Sequence, residues 1–425
     1  MIVTILIVLL VILLIVGTPV AFALGMAGVL GLLLTGDNLA AVPQIIYETF
    51  NTYDLIAVPL FVLMGQVLLQ GKVGEHLFAV INQWVRHWPG GLGVATVLSC
   101  GFFAAVAGSS TATAATVGST AIPAMTNRGY SRSLACGLVA GGGTLGILIP
   151  PSIPFVLYGA ITSESIGKLF LAGLMPGLFM LGTFVLYVLV LAKMDKRLPR
   201  GERVPLRDRL AFSARHIGAL LIPVVVLGGI YAGACTPTEA AAVGALYSFL
   251  LCLVVYRSLS LRDIPKVLTS TAIVSCMILM IIAVALVLSR VITTLQVAPQ
   301  MVALFEEYEL GKWFFLIAMN ILWFIMGCFL DVASIMLITL PVAFPVALSL
   351  GIDPIWFAVI MVVNMEIATI TPPIGLNLFV VMGASGERDI RTVIKGVIPI
   401  FFLLLANLIV VMAWPQLSLW LPSRH

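Results

Sequence analysis

The chain is 425 residues long, 61% hydrophobic and only 9% charged, with a formal net charge of +4 and a mean hydropathy of +1.17. A soluble globular chain carries about 25% charged residues, so this composition excludes a soluble domain. Its apolar stretches are continuous runs of spanning length rather than short alternating strands, which excludes a β-barrel and predicts an all-α polytopic membrane protein.

Met1 to Val16 is apolar without a basic leader, and apolar sequence continues to Leu34. Ala21-Phe22-Ala23 resembles a signal cleavage site, but the segment reads better as a retained helix broken at Gly17-Thr18-Pro19. The stretch from Val97 to Pro123 is punctuated by Gly and Pro and reads as a re-entrant helical hairpin. At its centre lies Gly108-Ser109-Ser110-Thr111-Ala112-Thr113. This small-hydroxyl run is either the hairpin tip, open to an ion or substrate, or a close helix-packing stripe.

Next comes an apolar helix, rich in glycine from Gly141 to Gly146, that is broken at Pro150-Pro151. Proline has no N–H and clashes with the preceding turn, so carbonyls from Gly146 to Ile149 lose their helical partners. The N–H groups of Ser152 and Ile153 open the next helical piece. Unpaired carbonyls suit Na⁺, and free N–H groups suit a carboxylate. The bland alternative is a kink at a packing site. In lipid, however, a break persists only where protein, water or an ion re-satisfies the backbone.

Lys193 to His216 holds eight Lys/Arg against three acids, and the positive-inside rule puts this segment in the cytoplasm. Arg257 to Lys266, also basic, falls on the same side, and Glu306-Glu307-Tyr308-Glu309 falls outside. Thr236-Pro237-Thr238-Glu239 reads as a capping box with proline at the first helical position. Arg290 ends an apolar span and snorkels to the interface; an organic-anion contact is a minority reading.

The second half repeats the plan of the first. Thr18-Pro19 recurs as Thr236-Pro237, Pro123 as Pro341 and Pro150-Pro151 as Pro372-Pro373, at offsets of 218, 218 and 222. A second hairpin is expected from Phe324 to Pro345, with Asp331 at the tip, 222 positions after Ser109. Glu366 follows Asn364 just before the second break, and Asn377 lies one turn beyond it. Intramembrane acids are costly, so Asp331 and Glu366 are functional candidates unless they sit at water-exposed ends. The expected organisation is a first repeat over 1–192, a basic connection over 193–216 and a second repeat over 217–425. Roughly 11 spans plus the two hairpins are expected, and an odd number of crossings per half would make the repeats inverted.

Absences narrow the function. There is no nucleotide-binding G-x-x-x-x-G-K-[ST] motif. Cys100, Cys136, Cys235, Cys252, Cys276 and Cys328 are scattered without a C-x-x-C pair, so neither disulfides nor zinc are indicated. His76, His87, His216 and His425 fall in predicted loops or at the terminus, which leaves Ser109 and Ser110 without a membrane-embedded base and disfavours an intramembrane protease. Nothing suggests nucleic-acid binding beyond the basic segment, which topology already explains.

Gly-Ser-Ser-Thr-Ala at 108–112, Ile-Pro-Pro-Ser-Ile-Pro-Phe at 149–155, Thr-Pro-Thr-Glu-Ala at 236–240 and Thr-Pro-Pro-Ile-Gly at 371–375 resemble the large membrane subunit of tripartite ATP-independent periplasmic (TRAP) transporters, essentially over the whole chain. The resemblance implies a Na⁺-driven inner-membrane carrier with no cofactor other than the coupling ion. It also implies two partners: a soluble periplasmic binding protein that delivers an organic acid, and a small membrane subunit of four helices. It implies an elevator, in which a transport domain of both hairpins and both broken helices moves against a scaffold.

Carried onto this sequence, a first Na⁺ site draws on Ser109, Ser110 and the backbone of Gly146, Leu148 and Pro150. A second draws on Gly327, Asp331, Thr369, Thr371 and Pro372. Candidate substrate contacts are Ser110, Thr111, Ser152, Asp331 and Asn377. Asp331 stands where the first hairpin has hydroxyls, so it is an ion ligand, a substrate contact or a water-lining group. A stand-alone divalent-anion/Na⁺ symporter is the rival reading; Thr-Pro-Thr-Glu-Ala argues for the tripartite family. C4-dicarboxylates, sialic acid, keto acids and sugar acids all remain open as substrate.

Overall fold

The computed structural model describes residues 2–195 and 198–424, and every regular element among them is helical. The first half contains α1 (Ile2–Ile15), α2 (Val20–Thr35), α3 (Ala41–Phe50), α4 (Ala57–Gln70) and α5 (Val73–Val85). A hairpin of α6 (Gly91–Ala107) and α7 (Ser110–Thr126) follows. Then α8 (Arg132–Thr144) runs into a short 3₁₀ turn, Leu145–Ile147, before the chain breaks and resumes as α9 (Ile153–Thr162) and α10 (Ile166–Met194).

After α11 (Leu206–Arg215) the second half holds α12 (Ile217–Tyr231), α13 (Pro237–Leu250), α14 (Ile264–Thr294) and α15 (Val297–Glu307). Its hairpin is α16 (Lys312–Gly327) and α17 (Val332–Ser349). Its broken helix is α18 (Pro354–Thr369) with α19 (Leu376–Ser385), and α20 (Ile390–Ala413) is its last long helix. Apart from α3 and α11, the elements of the second half follow the order of the first.

Local chemistry accounts for the boundaries. Thr236 Oγ1 accepts the Glu239 N–H at 3.3 Å and the Glu239 carboxylate accepts the Thr236 N–H at 2.8 Å, so the capping box starts α13 as expected. Both returning hairpin helices are capped by the residues aligned at the tips: Ser109 accepts from Ala112 N–H, and Asp331 from Ser334 N–H. Gly108, with φ of 61°, makes the first tip turn. A Cβ there would lie 2.7 Å from the Pro151 carbonyl, so glycine is required for space as well as conformation.

The hairpins run longer than the sequence suggested, over 91–126 and 312–349 instead of 97–123 and 324–345. The reason is proline. Pro123, Pro341 and Pro345 lie inside α7 and α17 and do not end them, because packed neighbours in a membrane helix re-satisfy the freed backbone groups. The basic connection is not wholly a loop either. It contains α11, whose Leu206 and Leu210 are exposed apolar side chains; Lys196 and Arg197 lie outside the described residues. Six described helices are long and apolar enough to cross a bilayer unbroken, or seven if the bent pair α11–α12 counts as one span. The expected count of roughly 11 is not reached by unbroken helices, because many others, such as α1, α2, α16 and α18, have only 14–16 residues.

Packing is tight at the centre and apolar at the rim. Every residue of α18 from Trp356 to Thr369 is buried. Gly25, Gly28 and Gly31 of α2 face Val284, Val287 and Val291 of α14, a small-residue seam of the kind that holds helices together where lipid supplies no hydrophobic drive. Ile15, Val16, Leu186, Leu246 and Phe402 are exposed, as a lipid-facing surface requires.

His76 lies inside α5, contrary to the loop expectation. His425 is outside the described residues. The His76 ring stacks on His216 with centroids 4.8 Å apart and meets Tyr256 at a tilt, with centroids 4.6 Å apart. Burial holds both imidazoles below the usual value of 6.5. His76 and Arg215 lower His216 further, and Glu75 opposes the shift at His76. Below pH 6.5 the unfolded chain therefore binds more protons than the folded one, and stability falls as pH falls. Thermal melting in detergent is expected to show a midpoint that drops on mild acidification. His76→Gln is expected to flatten that dependence; an equally steep pH profile in the variant would refute this account.

Candidate functional site

The two hairpin tips meet the two helix breaks. At the first, a Cβ on Gly146 would come within 2.5 Å of the Ser109 carbonyl and 2.8 Å of Thr113 Oγ1. The tip is thus seated directly on the turn that ends α8. Ser109 Oγ lies 3.2 Å from Thr111 Oγ1, and the Ser109 carbonyl accepts from Thr113 N (3.1 Å) and Thr113 Oγ1 (2.8 Å). The structure therefore brings Ser109, Ser110, Thr111 and Gly146 together. Leu148 is different: its carbonyl lies against Gly173 of α10.

At the second junction the Cys328 carbonyl accepts from Ile374 N–H at 3.3 Å. Gly327 and Ala368 pack so closely that a Cβ on Gly327 would lie 2.2 Å from that of Ala368. A cavity of ≈ 70 Å³ opens here, lined by Gly327, Asp331, Thr369 and Gly375 among others. Thr369 Oγ1 donates to the Glu366 carbonyl (2.8 Å) and Thr371 Oγ1 to the Ile367 carbonyl (2.6 Å); each hydroxyl oxygen keeps lone pairs for a cation. Thr371 and Pro372 do not line the cavity, and Pro372 is exposed.

Asp331 caps α17 through Ser334 N–H at 3.3 Å and accepts from Ser334 Oγ. It also borders a second, larger apolar cavity of ≈ 600 Å³ between it and residues of α2 and α14, including Phe22 and Met280.

The two breaks differ in access. Residues 145–152 are all buried, while Pro372, Pro373 and Ile374 are exposed. Both prolyl pairs are cis. Ser152 is fully buried and its hydroxyl donates to the Ile147 carbonyl. It closes the first break from within, so the structure does not bring it to either cavity.

Asn377 joins the halves. Its side-chain nitrogen donates to Ser110 Oγ at 2.6 Å and to the Ala140 carbonyl at 3.2 Å, tying α19 to the first hairpin and to α8. On the other side Tyr158 of α9 donates to the Pro354 carbonyl at 2.7 Å and packs edge-on against Phe344 of α17. The broken helix of each half thus braces elements of the other. Sequence reasoning missed the Asn320–Asn364 pair, in which Asn364 Nδ2 donates to Asn320 Oδ1 (2.8 Å) and to its carbonyl (3.0 Å), linking α16 to α18. The signal was present as a lone Asn inside each apolar run. Arg290 is exposed at the end of α14, consistent with snorkelling.

Paired hairpins seated on paired helix breaks, in a multi-pass helical membrane protein, define a membrane transport protein. The family model described as "Tripartite ATP-independent periplasmic transporter, DctM component" matches residues 7–417, and the chain belongs to that family. It is similar to the C4-dicarboxylate TRAP transporter large permease protein of Pseudomonas aeruginosa, at 44% identity over 94% of each chain. It is 34% identical to the sialic acid TRAP transporter large permease protein of Vibrio cholerae, over 96% of this chain and 95% of that one. It is 32% identical to the ectoine TRAP transporter large permease protein of Halomonas elongata, over 96% of each. The solved YdaH transporter of Alcanivorax borkumensis shares the fold, with a TM-score of 0.60 over 90% of each chain at 13% identity. The protein is accordingly a TRAP transporter subunit, a multi-pass protein of the inner membrane.

Proposed function

We propose that this chain carries an organic acid inward, driven by Na⁺, after a periplasmic binding protein has delivered it. The observation that carries the reading is the seating of each hairpin tip on a helix break, which gathers hydroxyls, carbonyls and Asp331 at two points. Those donors are hard oxygens suited to an alkali cation. The two repeats, 1–192 and 217–425, are inverted, and the hairpins with their broken helices form a transport domain. That domain moves as an elevator against a scaffold that includes α2 and α14, completed by a small four-helix subunit. Because α19 is tied to the first hairpin and Tyr158 to α18, the two hairpins and two broken helices move as one body. The C4-dicarboxylate relative supports a small organic anion as cargo.

Each Na⁺ moving inward gains about 2.3 kcal/mol per ~100 mV of membrane potential. An anion moves its own charge against that potential, so for a dianion carried with two Na⁺ the potential cancels, and the cost of concentrating it a few hundredfold, about 3 to 4 kcal/mol, is met by the Na⁺ concentration ratio. Uptake into proteoliposomes holding this chain and its small subunit is expected to require both the binding protein and an inward Na⁺ gradient, and to stop when choline replaces Na⁺. Uptake that persists in choline would sink the Na⁺ reading. Uptake without the binding protein would make this a stand-alone symporter.

A further inference from the structure

Glu366 is the only fully buried acidic residue among the described residues, at 0% exposure, and neither carboxyl oxygen has a hydrogen-bond partner. A buried carboxylate without compensation costs several kcal/mol, so the group either takes up a proton or faces a cation. Its position narrows the choice. Asn364 and Ala368 face α16, through Asn320 and Gly327. Glu366 lies about 200° round the helix from Asn364, on the face turned away from the second hairpin. From the first half, α8, the Leu145–Ile147 turn, α9 and α10 all pack against α18.

The turn that continues α8 packs against α18, and Asn377, just past the end of α18, donates to the Ala140 carbonyl near the end of α8, which brings the two helix C-termini near each other. Helix α8 ends at Thr144 and α18 at Thr369, and each brings about half a negative charge to its end. Glu366 sits in the last turn of α18, where its own charge adds to that field. At the 222-residue offset its counterpart in α8 is Thr144, whose hydroxyl is already engaged with the Gly141 carbonyl at 2.7 Å. A carboxylate thus stands in one half where the other has a self-satisfied hydroxyl. A metal cation answers both the carboxylate and the two helix ends, whereas a proton on the carboxyl leaves the helix-end field untouched.

We propose that Glu366 is the anionic ligand of an additional Na⁺ site between the ends of α8 and α18, distinct from the two hairpin-tip sites. The inference rests on the Na⁺-driven reading above. The test is equilibrium binding of radioactive Na⁺ to the purified full chain, wild type against Glu366→Gln. The expected result is one fewer Na⁺ per chain in the variant, with a lower Hill coefficient for Na⁺ in uptake. Equal Na⁺ stoichiometry would mean that the carboxyl simply carries a proton, and the proposal would fall. If the wild type itself binds no Na⁺, the Na⁺-driven reading fails instead, and this proposal with it. Should Glu366→Gln not fold, Glu366→Asp is expected to change the preference for Na⁺ over Li⁺ through its shorter reach. Unchanged selectivity there would overturn the proposal.

Discussion

Replacement of Gly396 by valine is expected to prevent the two halves of the chain from closing on one another. Helices α8 and α20 cross with their backbones in contact. A Cβ on Gly396 would lie 1.8 Å from the Ser133 carbonyl, and one on Gly137 2.1 Å from the Gly396 carbonyl. These obstacles are backbone atoms, so no side-chain rotation relieves them and the helices must separate. Separation also breaks the packing of Gly141 against Ile400 one turn further along. Overpacking a core ordinarily costs about 1–3 kcal/mol, and a clash with rigid backbone exceeds that range. Without a hydrophobic drive between helices in lipid, such close approach is much of what holds them together. Folded yield by size-exclusion chromatography is expected to collapse for Gly396→Val. Gly182→Ala, at a position with nothing within 4 Å, is expected to leave it unchanged. A monodisperse, heat-stable Gly396→Val protein would show that the seam is looser than drawn.

That seam shows where the sequence stops being readable. The two breaks were legible because paired prolines inside apolar runs have a strong local consequence, and the Thr236 capping box because its partners are three residues apart. The alignment of Asp331 with Ser109 was legible as an offset, and both residues turn out to cap the returning hairpin helix. The TRAP-family resemblance, drawn from four short motifs, agrees with the family match over residues 7–417.

What failed was tertiary. Pro123, Pro341 and Pro345 read as helix ends because propensity disfavours proline in a helix interior, yet neighbouring helices hold those helices intact. The small-residue run at 108–116 serves both readings, tip and packing surface, since Gly108 turns the chain while Ala114 packs on Gly143. Ser152 looked like an N–H donor open to substrate, and only its surroundings reveal it as buried. Nothing local announces that Asn377 reaches Ser110, 267 positions away.

Substitution of Asp331 separates two roles that one side chain performs. Its carboxylate caps α17, and it also lines the ≈ 70 Å³ cavity with Gly327 and Thr369. Asparagine caps a helix about as well as aspartate, so Asp331→Asn keeps α17 in place and removes only the charge. If Asp331 supplies that charge to Na⁺ at the second tip, losing one charge-assisted contact costs about 1.5–3 kcal/mol. The Na⁺ concentration for half-maximal uptake is then expected to rise at least ~10-fold, with melting temperature nearly unchanged. Asp331→Ala removes charge and cap together, and is expected to lose about 1 kcal/mol of stability in addition. The comparison decides between the readings. A shift confined to the substrate midpoint would move Asp331 from ion ligand to substrate contact. An Asn variant with wild-type Na⁺ and substrate dependence would reduce it to a helix cap, leaving hydroxyls and carbonyls alone to bind the ion at that tip.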